Sequence, residues 1–160
     1  MKEVTLEDLE PMVMLKPLTT GMKEKLLPFM KIKEYQNQKY IFRQGDPGNF
    51  FYMLKEGKIV FEQIVTTRIT LSMGSVKSGY SFGWSAMLDG NPYTSDAVCA
   101  EPCVIISMKR EDLLRINEED HDIGYIIAQG LLHVIKNRLD FRTGQFLRMI
   151  RNHPDMKPLI

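Results

Sequence analysis

The sequence predicts a mainly β domain, a jelly roll with helices on both sides, and three observations predict it. Residues 36–108 hold short β-rich runs cut at even intervals by turn residues. On either side the pattern changes to apolar residues at helical spacing. The last helical segment carries a heptad seam too long for one small barrel to cover.

The zone up to about residue 35 reads as short helices. LEDLEPM and TTGMKEKLLPFM place Met22, Leu26, Leu27, Phe29 and Met30 at helical spacing. Thr20 is read as the cap of the second helix, and Pro17 and Pro28 keep the pieces short.

From about 36 to 108 the period changes. In KYIFRQGDPGNFFYMLKEGKIVFEQIV, Gly45-Asp46-Pro47-Gly48-Asn49 is a dense turn signal, and Lys55-Glu56-Gly57-Lys58 separates two β runs as a hairpin does. RITLSM follows, then turns at Gly74 and at Lys77-Ser78-Gly79, with DAVCA and CVIISM as the last strands.

From about 109 to 151 the chain is helical again. KREDLLRINEED reads as a short helix and HDIGYIIAQGLLHVIKNRLDFRTGQFLRMIR as a long one. Ala128, Leu132, Ile135, Leu139, Arg142, Phe146 and Met149 alternate steps of four and three, which is a heptad seam. Acids gather before this helix (Glu118, Glu119, Asp120, Asp122) and Arg138, Arg142, Arg148 and Arg151 load its far end, a polarity that complements the helix dipole. The seam predicts a parallel homodimer through the long helix. Residues 1–151 are expected to form one domain, with 152–160 a short tail after Pro154.

Composition narrows the function. With 160 residues, 44% hydrophobic and 26% charged, the chain has enough interior for a core. A net charge of +1 gives none of the basic excess usual in a nucleic-acid binder. No apolar run approaches a membrane span, and the acidic N-terminus MKEVTLEDLEPMVM does not read as a signal peptide, so a cytoplasmic location with no membrane partner is expected. On one continuous strand Cys99 and Cys103 would lie roughly 13 Å apart; a turn at Glu101-Pro102 would bring them closer. Two buried thiols in a reducing compartment is the leading reading, a redox switch the other. His121, His133 and His153 do not cluster with the cysteines at metal-ligand spacing, and the strands hold no histidine. No metal site follows, nor a metal-dependent cupin enzyme. No nucleophile–base arrangement is present either, so the protein is not expected to be an enzyme.

The stretch IFRQGDPGNFFYMLKEGKIVF, with Gly45, Asp46, Gly48, Phe51, Tyr52, Gly57 and Val60 in order, resembles the cyclic-nucleotide-binding domain of bacterial catabolite activators and kinase regulatory subunits. The resemblance covers roughly residues 15 to 150 and implies an eight-strand β-roll followed by a dimer helix. It also implies a phosphate-binding cassette in GYSFGWSAMLDGNPYTSDAVCAE. In the family a glutamate there takes the ribose 2′-hydroxyl and an arginine neutralises the cyclic phosphate. Phe82 and Gly83 match the start, but the glutamate position holds Trp84. Ser85, Ala86, Met87 and Leu88 fit the short helix, and Asp89-Gly90-Asn91-Pro92 fits the loop. The arginine position falls on Thr94, with Ser95 as the small residue after it; Tyr93 or Asp96 take that place only if the register shifts.

The implied ligand-binding set is therefore Phe82, Gly83, Trp84, Ser85, Ala86, Thr94 and Ser95, joined by Arg142 and Thr143 where the family's long helix caps the base. What survives is a frame of backbone donors near Ser85 and Ala86 plus two hydroxyls, with Asp96 opposing an anion. Trp84 reads equally as core or as a platform for a ligand ring, and Arg142 equally as a pocket residue or as an exposed partner of the dipole. No cofactor is required; a nucleotide-like or other small anionic ligand fits the frame. The expected function is a non-catalytic small-ligand sensor or regulatory module, not a conventional cyclic AMP binder. The alternatives are a catabolite-activator-type transcription regulator without its DNA-binding domain and a dimeric scaffold with a filled pocket. Only NHPDMKPLI follows Arg151, too little for a helix-turn-helix, so DNA is not expected as a partner of these residues.

Overall fold

The structure is a computed structural model and describes residues 2–88 and 91–154; Asp89 and Gly90 of the expected loop and residues 155–160 of the expected tail lie outside the described residues. The chain divides into two units, Met1–Ile126 and Ile127–Ile160. The first holds short helices α1 (Leu6–Leu9) and α2 (Thr20–Leu26), then strands β1 (Met30–Tyr35), β2 (Tyr40–Phe42), β3 (Phe50–Glu56), β4 (Lys58–Thr66), β5 (Ile69–Lys77), β6 (Ser81–Phe82), β7 (Asp96–Cys99) and β8 (Cys103–Lys109), and then α3 (Arg110–Glu119). Helix α4 (His121–Asn152) begins in the first unit and makes up most of the second. This is the predicted jelly roll with flanking helices and a long C-terminal helix. Among the described residues no helix is long and apolar enough to cross a membrane.

The strands form two four-stranded antiparallel sheets, β1-β8-β3-β6 and β2-β7-β4-β5. Between them lies a core of Leu54, Ile59, Val76, Ala97, Cys99, Cys103 and Ile105 with the aromatics Phe42, Tyr52, Phe82 and Tyr93. Strand β3 is buried on both faces, because Phe51 and Met53 are as enclosed as Tyr52 and Leu54. Side chains alternate across a pleat, so Phe51 and Met53, like Ile106 and Met108 of β8, need cover on the face away from the inter-sheet core. Buried side chains available for it include Leu9, Met12, Leu15 and Leu26 of the N-terminal segment, Leu113 and Ile116 of α3 and Ile123 of α4.

The β3–β4 hairpin turns at Gly57 with φ 96°, and a Cβ there would lie 2.5 Å from the Pro102 carbonyl oxygen and 2.7 Å from Cys103 Sγ. Only glycine satisfies both the backbone and the space. Between the cysteines the chain leaves β7 and turns into β8, so they do not share one strand. Both thiols are free and buried, and burial with the neighbouring Cys103 pushes the Cys99 thiol up to about 12.

The cap of α2 is Thr19, not Thr20. Thr19 has extended backbone and its hydroxyl accepts from the Met22 N–H at 3.3 Å, while Thr20 is already helical. Thr5 and Asp8 form a reciprocal capping box on α1. Asp8 also accepts from Lys55 Nζ at 2.7 Å, tying α1 to β3. Burial pushes the Asp8 carboxyl up, but the hydrogen bonds from Lys55 and Thr5 outweigh it and hold the group below the ordinary carboxylate value. A carboxylate of depressed pKa contributes stability that is complete above the unfolded value, about 3.9, and is lost as pH falls through the folded one. Asp8→Asn is therefore expected to destabilise by about 1 kcal/mol at neutral pH. Urea midpoints of the variant and the natural protein should stay apart down to about pH 3.9 and converge only as pH falls below it, through the folded value; a constant gap would refute the assignment.

Candidate functional site

The cassette begins where β6 ends. Gly83 has φ 78°, and a Cβ on it would lie 2.8 Å from Tyr52 Cδ2. That turn starts a 3-10 helix, Trp84–Met87, whose first bond runs from the Ala86 N–H to the Gly83 carbonyl at 3.1 Å. The N–H groups of Trp84 and Ser85 precede that bond and lie outside the helix's own ladder. This is the expected donor frame, and Ala86 is fully buried beneath it.

The turn after β2 braces the frame. A Cβ on Gly48 would lie 2.7 Å from the Asn91 carbonyl oxygen and 2.9 Å from Ser85 Cβ. Pro47 and Pro92 form an isolated antiparallel bridge, and the Ser85 hydroxyl donates to the Pro92 carbonyl at 2.9 Å.

The side chains separate into different places. Phe82 has no exposed surface and belongs to the inter-sheet core. The half-buried Trp84 packs its indole on Phe51 at 5.2 Å between centroids. Phe51 is on the pleat face opposite Tyr52, so Trp84 sits on the outer side of its sheet. Its Nε1 is buried without a hydrogen-bond partner. Thr94 is exposed and Ser95 half-buried. Arg142 and Thr143 are exposed on α4 in the second unit, where Arg142 donates to Gln145 Oε1 at 3.3 Å.

The residue that faces inward at the end of the loop is Tyr93, 4% exposed. Its ring stacks on Phe42 at 3.7 Å with planes 13° apart. Phe42 in turn lies 5.8 Å from Tyr52, which stacks on Phe82 at 5.1 Å. Four rings from four segments thus fill one end of the core. Burial holds the phenols of Tyr52 and Tyr93 above their ordinary value, so both are neutral donors. Sequence reasoning left Tyr93 aside because it is not basic; its position directly after Pro92, one residue before Thr94, was the signal available.

Charge near the loop is mixed: Arg110 Nη1 donates to the Leu88 carbonyl at 3.4 Å, and a carboxylate paired with an arginine lies at the start of β7. Asp96, 4% exposed, accepts from the Gln44 N–H at 2.7 Å and from Arg43 at 3.4 Å. The Arg43 guanidinium also lies 3.3 Å above the Tyr40 ring, so this arginine is engaged by the outer surface of β2 and β7. Among the described residues no group of three or more metal-ligating side chains is present.

A two-sheet roll, a glycine-started 3-10 helix after β6 and a long C-terminal helix define a class, that of jelly-roll domains with flanking helices. The particular family follows from comparison: residues 32–120, more than half the chain, match the cyclic nucleotide-binding domain family, and the chain belongs to it. Curated relatives are cAMP-dependent protein kinase regulatory subunits, from Candida albicans (26% identical over 115 residues, 72% of this chain and 24% of that protein) and Yarrowia lipolytica (28% over 91 residues, 57% and 23%). The chain spans about a quarter of the length of these relatives. Its fold is similar to a cyclic nucleotide-binding domain from Methylobacillus flagellatus (TM-score 0.78, 17% identity, 93% of this chain and 84% of that one). It is also similar to the regulatory subunit of a cAMP-independent protein kinase A from Trypanosoma brucei (TM-score 0.73, 15% identity, 88% and 50%). A triple mutant of that subunit, with a threonine-to-arginine change among its substitutions, is bound to cAMP in its A site (TM-score 0.68, 16% identity, 88% and 50%).

Proposed function

We propose that this chain is a non-catalytic regulatory module of a reducing, cytoplasmic compartment that does not bind cyclic AMP as ordinary family members do. One observation carries the reading. The cassette keeps its frame, but the positions of its two charged contacts hold Trp84 and Thr94, and the ring of Tyr93 fills the inter-sheet core at the end of the loop. A hydrogen bond to a charged group is worth about 1.5–3 kcal/mol, so losing the arginine alone removes one to two decades of affinity at about 1.4 kcal/mol per decade. The cAMP-independent Trypanosoma subunit gives a precedent for this fold without ordinary cyclic AMP dependence. Calorimetric titration with cyclic AMP and cyclic GMP should show no micromolar binding; tight binding of either would restore the ordinary reading. Other small anions remain candidates for the backbone donors of Trp84 and Ser85.

The module works as a homodimer through α4. Leu132, Ile135, Leu139, Phe146 and Met149 of the heptad seam are between 48 and 72% exposed, an apolar stripe that a second copy of the same helix would cover. Sedimentation equilibrium should report a dimer for the natural protein and a monomer for Leu139→Asp. A monomer for both would remove the dimer from the proposal. A dimeric scaffold with a filled interior is the second reading, favoured by the Phe42–Tyr93 stack; a denaturation midpoint that no small-molecule library shifts would select it.

A further inference from the structure

We infer that Tyr93 is a built-in clamp that holds the cassette in place without any ligand. Among the described residues of the loop, Leu88, Asn91, Pro92 and Thr94 are exposed and Ser95 is half-buried, so Tyr93 is the one side chain that anchors it in the core. The anchoring is fivefold. The Tyr93 N–H donates to the Asp46 carbonyl at 2.9 Å, and the Tyr93 carbonyl accepts from the Gly45 N–H at 2.8 Å. The phenol hydroxyl donates to the Phe50 carbonyl at 2.7 Å and accepts from the Phe50 N–H at 3.1 Å. The ring itself lies flat on Phe42. One residue therefore ties the loop to the β2–β3 turn, to the start of β3 and to the inter-sheet core. The Ser85 hydroxyl also holds the Pro92 carbonyl and Arg110 Nη1 holds the Leu88 carbonyl at 3.4 Å, both contacts at the surface.

A buried polar group satisfied on both its donor and acceptor sides fixes one geometry, since any shift leaves a buried partner unmatched. Phe50 is the telling partner. Its N–H and carbonyl both point at the phenol, so removing one oxygen atom frees two backbone groups at once. A ligand that needed the space of the ring would have to replace both the stack and these bonds.

The inference rests on the reading that cyclic nucleotide does not order this cassette, and the two fail separately. Residue-resolved amide exchange on the full chain, with and without cyclic AMP, tests the clamp. In the natural protein the amides of Gly45, Phe50, Tyr93 and Ala86 should be protected without nucleotide. Tyr93→Phe should raise exchange at Phe50 and in the cassette about tenfold, or about 1.4 kcal/mol, while Ile105 and Ile106 of β8 stay unchanged. In Tyr93→Ala, added 4-methylphenol should restore cassette protection by refilling the ring's place. Three results would overturn the clamp: a natural cassette exchanging like a free loop until nucleotide is added, a Tyr93→Phe cassette as protected as the natural one, or a folded Tyr93→Ala that 4-methylphenol leaves unprotected. The first of these needs no variant and so does not depend on one folding. Nucleotide binding seen by calorimetry over an already protected cassette would remove the functional reading and leave the clamp standing.

Discussion

Truncating Phe82 to alanine is expected to cost about 3–5 kcal/mol of folding stability. The side chain is fully buried, stacked on Tyr52 at 5.1 Å, tilted to Phe42 at 6.1 Å and edge-on to Phe61 at 6.2 Å. Those neighbours come from β2, β3 and β4, each pinned by its own ladder, so the walls are poorly placed to collapse into the space. Domains of this size are stable by about 5–15 kcal/mol, which makes this loss a large part of the total. Urea denaturation measures it, with Leu88→Ala as control, because Leu88 is 54% exposed and should change stability by no more than about 0.5 kcal/mol. The experiment also separates two roles for Phe82. A wall residue of an open ligand pocket would lose little stability on truncation, and a cost under about 1 kcal/mol would mean the interior is a pocket and not a packed core.

The second large effect is a gain. Trp84→Glu with Tyr93→Arg is expected to bind cyclic AMP at least about tenfold more tightly than Trp84→Glu with Thr94→Arg, since one charged hydrogen bond is worth about 1.5–3 kcal/mol. Tyr93 points into the core and Thr94, where the chain bends before β7, is exposed. An arginine at 94 would start in water and beside the Asp96 carboxylate; one at 93 would start inside. The new arginine also removes the phenol bonds to Phe50, so in the absence of nucleotide this variant should melt earlier than the natural protein and regain stability on adding it. Calorimetry decides between the variants. Binding by the Thr94→Arg version alone would show that the loop can present residue 94 inward.

The architecture was legible because its signals are local. The turn residues around Gly45 and Gly57, the alternation through Phe51 and Tyr52, and the heptad from Ala128 to Met149 all act within a few positions. Thr19 and Thr20 differ only in which one is extended, so the cap was misplaced by one. The cassette frame was legible for the same reason: Gly83 and the small residues after it are contiguous. What fills the interior was not. Phe42, Tyr52, Phe82 and Tyr93 are dispersed over about a third of the chain and meet only when two sheets close. The pattern after Pro92 admits two registers, and it is packing on Phe42, not spacing, that chooses Tyr93 for the inside. Trp84 gave no hint of its side either; Phe51, on the far pleat face, decides it.

The pairing of β1 with β8, from Met30 opposite Met108 to Tyr35 opposite Cys103, bears on how the chain acquires this fold. Strand β1 is an edge strand whose one sheet neighbour is the last strand made. A ribosome extends the chain from the N-terminus, so β1 waits, half-formed, until the whole of β2 to β7 has been synthesised. Closing so long a loop is slow in entropy terms, and the apolar face of β1 (Met30 and Ile32) stays open to chaperones or to other nascent chains meanwhile.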